Sequence, residues 1–167
     1  IQMGKKYNDP RSKKNIRKFI KYHNINTEEM LQDIDSFSCF NEFFFRKLKP
    51  SARMITGRED PRVVISPADC RLLVFNNIGD VKRIWIKGDQ FTLAKLLLDE
   101  RLANKYSGGS VVICRLAPQD YHRFHSPISA KIGKYTEVGC DYYTVNPIAI
   151  KASNVYTENK RVIVELY

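Results

Sequence analysis

The chain changes texture between Pro50 and Pro61, and that change restricts its folds more than any other feature. Before Pro50, apolar residues recur at helical spacing. Ile16, Phe19, Ile20 and His23 stand at i, i+3, i+4 and i+7, and Phe37, Phe40, Phe44 and Leu48 repeat the pattern. After Pro61, short β-branched runs take over at 63–66, 71–75, 83–87, 110–116, 128–138 and 161–166, punctuated by Gly, Asn, Asp and Pro. One helix, over 92–98, interrupts them after the turn at Gly88-Asp89. Helices followed by mostly strands argue for an α+β fold with a largely antiparallel sheet, not for alternating βαβ units. The pattern predicts a single domain over 1–167, with a helical part at 1–50 and a β-rich core at 61–167. Asn26-x-x-Glu29 reads as the cap of a short helix through Met30, Leu31 and Ile34. Ser38 reads as the cap of the next helix, which Pro50 ends.

Composition narrows the class further. A hydrophobic content of 43% supports a folded core. No run approaches the ~18 apolar residues of a bilayer-spanning helix, and the opening Ile-Gln-Met-Gly-Lys-Lys-Tyr has no apolar signal region. That opening also lacks an initiator position, which leads us to expect sequence upstream. The four cysteines, Cys39, Cys70, Cys114 and Cys140, follow no framework spacing and read as free thiols. The net charge is +10, and much of it sits at the front: Lys5, Lys6, Arg11, Lys13, Lys14, Arg17, Lys18 and Lys21 are opposed only by Asp9. A second basic stretch holds Arg46, Lys47, Lys49, Arg53, Arg58 and Arg62. Such a surface suits an anionic phospholipid membrane. Nucleic acid ranks last, because no helix-turn-helix, zinc-finger or RNP pattern accompanies the charge. The basic helix over 12–23 has two fates, lying on a membrane or packing its stripe on the domain. Packing is the commoner fate, with His23 then structural.

Residues 115–127, Arg-Leu-Ala-Pro-Gln-Asp-Tyr-His-Arg-Phe-His-Ser-Pro, hold two of the three histidines. Imidazole titrates near pH ~6.5 and can take and give a proton. His122 and His125 stand among Asp120, Tyr121 and Arg123, and the flanking Pro118 and Pro127 favour a turn or bent strand. His-x-x-His could supply two zinc ligands, but no Cys-x-x-Cys completes a set, so no metal is expected. On these residues alone, an acid–base site and a structural polar loop are evenly matched. Asp69, in Ser66-Pro67-Ala68-Asp69, follows an apolar run beside a proline-fixed turn. It can cap that turn, or orient a histidine as in an acyl-transfer triad. Cys70 is a weak nucleophile candidate, since consecutive strand residues face opposite ways. Gly109-Ser110 more simply marks a hairpin, and Lys87-Gly88 suits either an anionic head group or a solvated turn.

Collinear segments over nearly the whole chain resemble the pyruvoyl-dependent phosphatidylserine decarboxylases, most of all their eukaryotic non-mitochondrial branch. They are Phe40-Asn41-Glu42-Phe43-Phe44-Phe45-Arg46-Lys47-Leu48-Lys49-Pro50, Ala52-Arg53-Met54-Ile55, Ser66-Pro67-Ala68-Asp69-Cys70, and Trp85-Ile86-Lys87-Gly88 with Phe91-Thr92. Then come Leu116 to Pro127, Tyr143-Thr144-Val145-Asn146-Pro147, and Tyr156-Thr157-Glu158-Asn159-Lys160-Arg161-Val162. The resemblance implies that Asp69 and His125 prime a serine to attack its own preceding peptide bond, leaving a pyruvoyl group. It implies that this group forms a Schiff base with the phosphatidylserine amine and that carbon dioxide then leaves, giving phosphatidylethanolamine. It assigns His122 to the decarboxylation step, and beside it Tyr121, Arg123 and Lys87 are our candidate substrate-binding residues.

The family's Gly-Ser-Thr or Gly-Ser-Ser processing site lies downstream of every segment quoted. Gly109-Ser110 precedes the histidine motif and reads as a decoy. The expectation is therefore a large-chain part that lacks the processing serine and is inactive alone. Its implied partners are a small C-terminal chain carrying the pyruvoyl group and an anionic membrane, and a homodimer is compatible. The implied location is peripheral, on an intracellular endomembrane. Two alternatives stay open: a sister enzyme for a soluble amino acid, and an inactive remnant that binds anionic membrane.

Overall fold

The computed structural model describes residues 2–84, 92–143 and 155–167. The chain divides into two compact units, one comprising Ile1–Arg71 with Cys114–Ser129 and the other Leu72–Ile113 with Ala130–Tyr167.

In the first unit, α1 (Gln2–Asn8) leads through a 3-10 turn (Pro10–Asn15) into α2 (Ile16–His23). Asp9 caps the turn, accepting from the Arg11 backbone N–H at 2.8 Å, and Pro10 supplies its fixed φ. The apolar stripe of α2 packs inward. Ile16, Met30, Phe37, Phe40 and Phe43 form the buried cluster, with Tyr7, Phe19, Ile20, Ile25, Ile34 and Phe44 against it. Ser12 is buried and links two elements, donating to Tyr7 O at 2.9 Å and accepting from Phe40 N at 2.9 Å. His23 lies against Phe19 with ring centroids 4.3 Å apart, a structural contact.

Two expected helices come out differently. Around Met30 there is an extended pairing: Met30 bridges Leu48 antiparallel, Leu31 N donates to Lys47 O at 3.0 Å, and Lys49 N donates to Glu29 O at 2.8 Å. Asn26 spends its side chain on the Glu28 N–H in a local turn. The 3-10 turn that does form, Ile34–Ser36, is capped by Asp33. The Phe-rich helix is α3 (Phe40–Phe44), shorter than expected, because 46–49 is drawn into the pairing with 29–31. Its cap is Cys39, and Ser38 donates through N and Oγ to Glu42 at 2.6 and 2.7 Å.

In the second unit, β1 (Arg71–Phe75) pairs with β2 (Val111–Arg115), and β3 (Ile132–Val138) pairs antiparallel with β4 (Arg161–Leu166). Some end residues of β1 and β2 belong by contact to the first unit. Four short helices, α4 (Ile78–Ile84), α5 (Leu93–Leu97), α6 (Glu100–Lys105) and α7 (Val155–Glu158), complete it. Thr92 caps α5 through the Lys95 N–H at 3.1 Å. The helix α6 was not expected; Asp99 starts it by accepting from the Arg101 and Leu102 N–H groups. The strand expected at 83–87 is helical at Arg83 and Ile84, and 85–87 lie outside the described residues. β3 begins later than expected, because Pro127 and the Ser126 hydroxyl, bonded to Ile128 O at 2.6 Å, hold a turn there. At the end of β3, Gly139 has φ +74° and a β-carbon would meet Glu158 O at 3.2 Å, so any larger residue there would be strained. The fold is α+β, as its sequence pattern implies.

Candidate active site

Two short backbone pairings build a cleft within the first unit. Ile65 N donates to Pro127 O at 3.0 Å, and His125 N donates to Pro67 O at 2.7 Å. The run at 63–66 is not a regular strand, since the neighbouring prolines offer no N–H to extend a ladder. These two bonds nevertheless bring the Asp69 turn beside the histidine loop. The pairing of 29–31 with 47–49 forms the opposite support, and a 3-10 turn at Pro50–Ala52 carries the chain on to Arg53.

The cleft between them has a volume of about 760 Å³. Asp69, His125, Ser126, Tyr121 and Arg53 give it polar groups, and Leu48, Pro50, Met54, Ile55, Val63 and Val64 give it an apolar wall. Met54 and Val64 are 79% and 69% exposed, a wet apolar rim. Gly57 shapes that rim: its φ of +65° lets the chain turn, and a β-carbon there would stand 2.9 Å from the Val63 side chain.

Asp69 and His125 therefore line one cleft. Their direct partners are other residues. Arg53 grips the Asp69 carboxylate with Nε at 2.9 Å from Oδ1 and Nη2 at 2.6 Å from Oδ2. Its Nη1 donates to Glu29 at 3.1 Å and to Ala52 O at 2.6 Å. These carboxylates push the Arg53 pKa up, the Asp69 hydrogen bonds being the largest cause. His125 Nε2 lies 3.2 Å from the Tyr121 hydroxyl, with the two rings stacked at 5.7 Å. Tyr121 is buried, so it serves first as a fixed platform for His125.

His122 does not line the cleft. It stacks on Phe44 at 4.0 Å, and Nε2 stands 2.9 Å from Ala117 O. A carbonyl only accepts, so Nε2 is the donor. Arg123 is likewise turned to its own loop, donating Nε to Phe45 O at 2.8 Å with its guanidinium over the Phe45 ring. Asp120 accepts from Ala117 N at 2.6 Å and closes the turn before the histidines. Lys87 lies outside the described residues. Ser110 belongs to the second unit, where its hydroxyl donates to Asn76 O at 3.1 Å.

Sequence reading passed over two residues of this site. Arg53 entered only as part of a basic stretch and of the Ala52-Arg53-Met54-Ile55 segment, with no role of its own. Arg46 is 4% exposed, lies 5.1 Å over the Phe43 ring and donates Nη2 to Gln119 O at 3.3 Å. Burial lowers its pKa, and the nearby Asp69 charge opposes that. Nothing in a linear pattern distinguishes this buried arginine from the exposed cations beside it. Among the described residues no group of three or more His, Cys, Asp or Glu could hold a metal ion.

The profile of a family described as phosphatidylserine decarboxylase matches residues 40–167. The chain is 43% identical over 167 residues to phosphatidylserine decarboxylase proenzyme 3 of Schizosaccharomyces pombe, covering 99% of this chain and 17% of that protein. It is 45% identical over 166 residues to proenzyme 2 of Oryza sativa, covering 97% of this chain and 27% of that one. It is 41% identical over 159 residues to the proenzyme of Fusobacterium nucleatum, covering 95% of this chain and 52% of that one. The chain thus spans about a sixth to a half of the length of these relatives.

Proposed function

The chain belongs to the phosphatidylserine decarboxylase family, and on that premise we propose that it supplies the acid–base part of an enzyme converting phosphatidylserine to phosphatidylethanolamine. The observation that carries this reading is the shared cleft: Asp69 and His125 stand in one lining together with an exposed apolar rim of Met54, Ile55, Val63 and Val64. An amphiphile suits such a surface, its head group at the polar end and its chains along Met54, Ile55, Val63 and Val64. The relatives are called proenzymes, which supports maturation by self-cleavage into two chains, with the cofactor made from the polypeptide.

In that maturation a serine outside residues 1–167 attacks the carbonyl of its own preceding peptide bond. The Oγ–C bond forms, the C–N bond breaks, and the serine proton passes by way of His125 to the departing nitrogen. Asp69 steadies the imidazolium that forms on the way, and Tyr121 holds the ring. The ester would then eliminate, its Cβ–O bond breaking to release the upstream chain as a carboxylate while the α-proton goes to base. Water would hydrolyse the resulting enamine with loss of ammonia. The pyruvoyl group so formed would supply a carbonyl that takes up the electron pair as carbon dioxide leaves. The residues present fit such a group: Asp69, His125 and Tyr121 hydrogen-bond near a cleft wide enough for a head group. They are the ones that would hold it. His122, to which the resemblance gives the decarboxylation step, packs its ring on Phe44 and donates Nε2 to Ala117 O, so it would serve that step by holding the histidine loop beside the cleft. The basic surface, net +10, supports peripheral attachment to an anionic membrane. Among the described residues no helix is long and apolar enough to cross one.

The full-length protein tests this directly, with phosphatidylserine vesicles and free serine as rival substrates. The expected result is phosphatidylethanolamine from vesicles and no turnover of serine. Asp69→Asn and His125→Ala should leave the precursor uncleaved. His122→Ala should cleave but turn over roughly 100-fold more slowly. Turnover of serine with the lipid untouched would overturn the lipid assignment.

A further inference from the structure

The proposed function pairs Asp69 with His125, yet the side chain holding Asp69 is Arg53. We infer that Arg53 is a positioning residue for self-cleavage, acting on His125 through Asp69; this rests on the function proposed above. The guanidinium is locked from four directions: both Asp69 oxygens, Glu29 Oε2 and Ala52 O. Glu29 is itself fixed by the pairing of 29–31 with 47–49. A bidentate arginine sets the plane of a carboxylate as well as its place. A carboxylate has about four acceptor sites, so those that Arg53 leaves free remain for a cleft donor such as His125.

A purely structural role explains this arrangement poorly. The Arg53 and Asp69 side chains are 44% and 28% exposed, and ion pairs this wet add little to folding. Arginine is also the one cation whose planar fork can hold Asp69 and Glu29 at the same time; lysine offers a point charge. The buried Arg46 is near enough for its charge to interact with both Asp69 and Arg53. Asp69 thus reaches the cleft already oriented, which is the condition for a carboxylate to steer an imidazole.

The full-length precursor separates this from the alternatives, followed by the rate at which it splits into two chains. Arg53→Ala should cleave roughly 10- to 100-fold more slowly than wild type. Added methylguanidinium, which can reach the open cleft, should restore cleavage in part, and Arg53→Lys should fall between. The fraction of Arg53→Ala that has cleaved should lose less in kcat for phosphatidylserine than the precursor loses in cleavage rate, because Arg53 acts chiefly through the Asp69 and His125 pair that primes the serine. Arg62→Ala, which removes an 87% exposed pair with Asp60, should cleave normally. Wild-type cleavage by Arg53→Ala overturns the inference. So does slow cleavage that methylguanidinium does not relieve, or an equal fall in kcat of the cleaved enzyme. A wild-type precursor that never cleaves strikes the proposed function itself, whatever Arg53 does.

Discussion

Burial sets the proton on His122. Its ring is packed on Phe44, and desolvation pushes its pKa below the ordinary imidazole value; the Ala117 carbonyl and Asp120 pull the other way, and Arg46 adds to the fall. A folded-state pKa below the unfolded value means the unfolded chain binds the proton first as pH drops. Stability is then full above about pH 6.5 and is lost as pH falls from there through the folded pKa. Thermal melts between about pH 8 and pH 5 should show a declining midpoint in wild type and a flatter line in His122→Gln. A wild-type slope that survives the substitution would place the proton uptake elsewhere. This residue also marks what a linear pattern can carry. His125, Tyr121 and Asp69 stood out as candidates because imidazole, phenol and carboxylate were crowded near prolines, and they share a cleft; His122 stood out with them but packs on Phe44 instead. The choice of partners was not legible: Phe44 meets His122 and Arg53 meets Asp69 through folds of the chain that no local spacing encodes.

At the scale of elements, α3 is the joint between core and site. Phe43 is fully buried, with Phe37 at 5.7 Å and Phe40 at 5.9 Å, and Arg46 rests on its ring. The next residues hold the histidine loop, Phe44 by stacking on His122 and Phe45 by accepting from Arg123. Phe43→Ala should therefore cost about 3–5 kcal/mol in denaturant unfolding and also loosen the loop. The expected sign of loosening is faster amide exchange at 119–125 than a loss of stability alone would give. A loss under about 1 kcal/mol would mean the cluster closes over the gap. The helical stripes of α2 and α3 were readable because burial enforces periodicity. The pairing of 29–31 with 47–49 was not. Its bonds join segments 18 residues apart at Met30 and Leu48, and isolated bridges carry no alternation to detect. The helix α6 escaped for a different reason: its residues are half or fully exposed, so its apolar stripe is faint and Asp99 is its only clear signal.

At the scale of the whole molecule, the buried apolar residues are unevenly shared. The cluster of Ile16, Met30, Phe37, Phe40 and Phe43 lies wholly in the first unit. Among the described residues of the second unit, the buried apolar side chains are Val81, Val138 and Val155, on α4, β3 and α7. The β3–β4 pair also leaves Ile132, Tyr135, Val162 and Val164 exposed, and a two-stranded ribbon is marginal without a covered face. Each large side chain fully buried is worth about 1.5–3 kcal/mol, so a difference of even one shifts an opening equilibrium by more than tenfold. The two units should then open separately, the second at lower free energy. Hydrogen exchange of residues 1–167 followed by mass spectrometry should show β3 and β4 labelled while α2 and α3 remain protected, under conditions where the chain stays folded. The site would survive that opening, since Arg53, Asp69, Tyr121 and His125 all belong to the first unit. Addition of a ligand to the cleft should accordingly slow exchange around 65–69 and 121–127 and leave β3 and β4 unchanged. Simultaneous labelling of both units would show that they unfold as one, and would tie the order of the site to the ribbon as well as to the aromatic core.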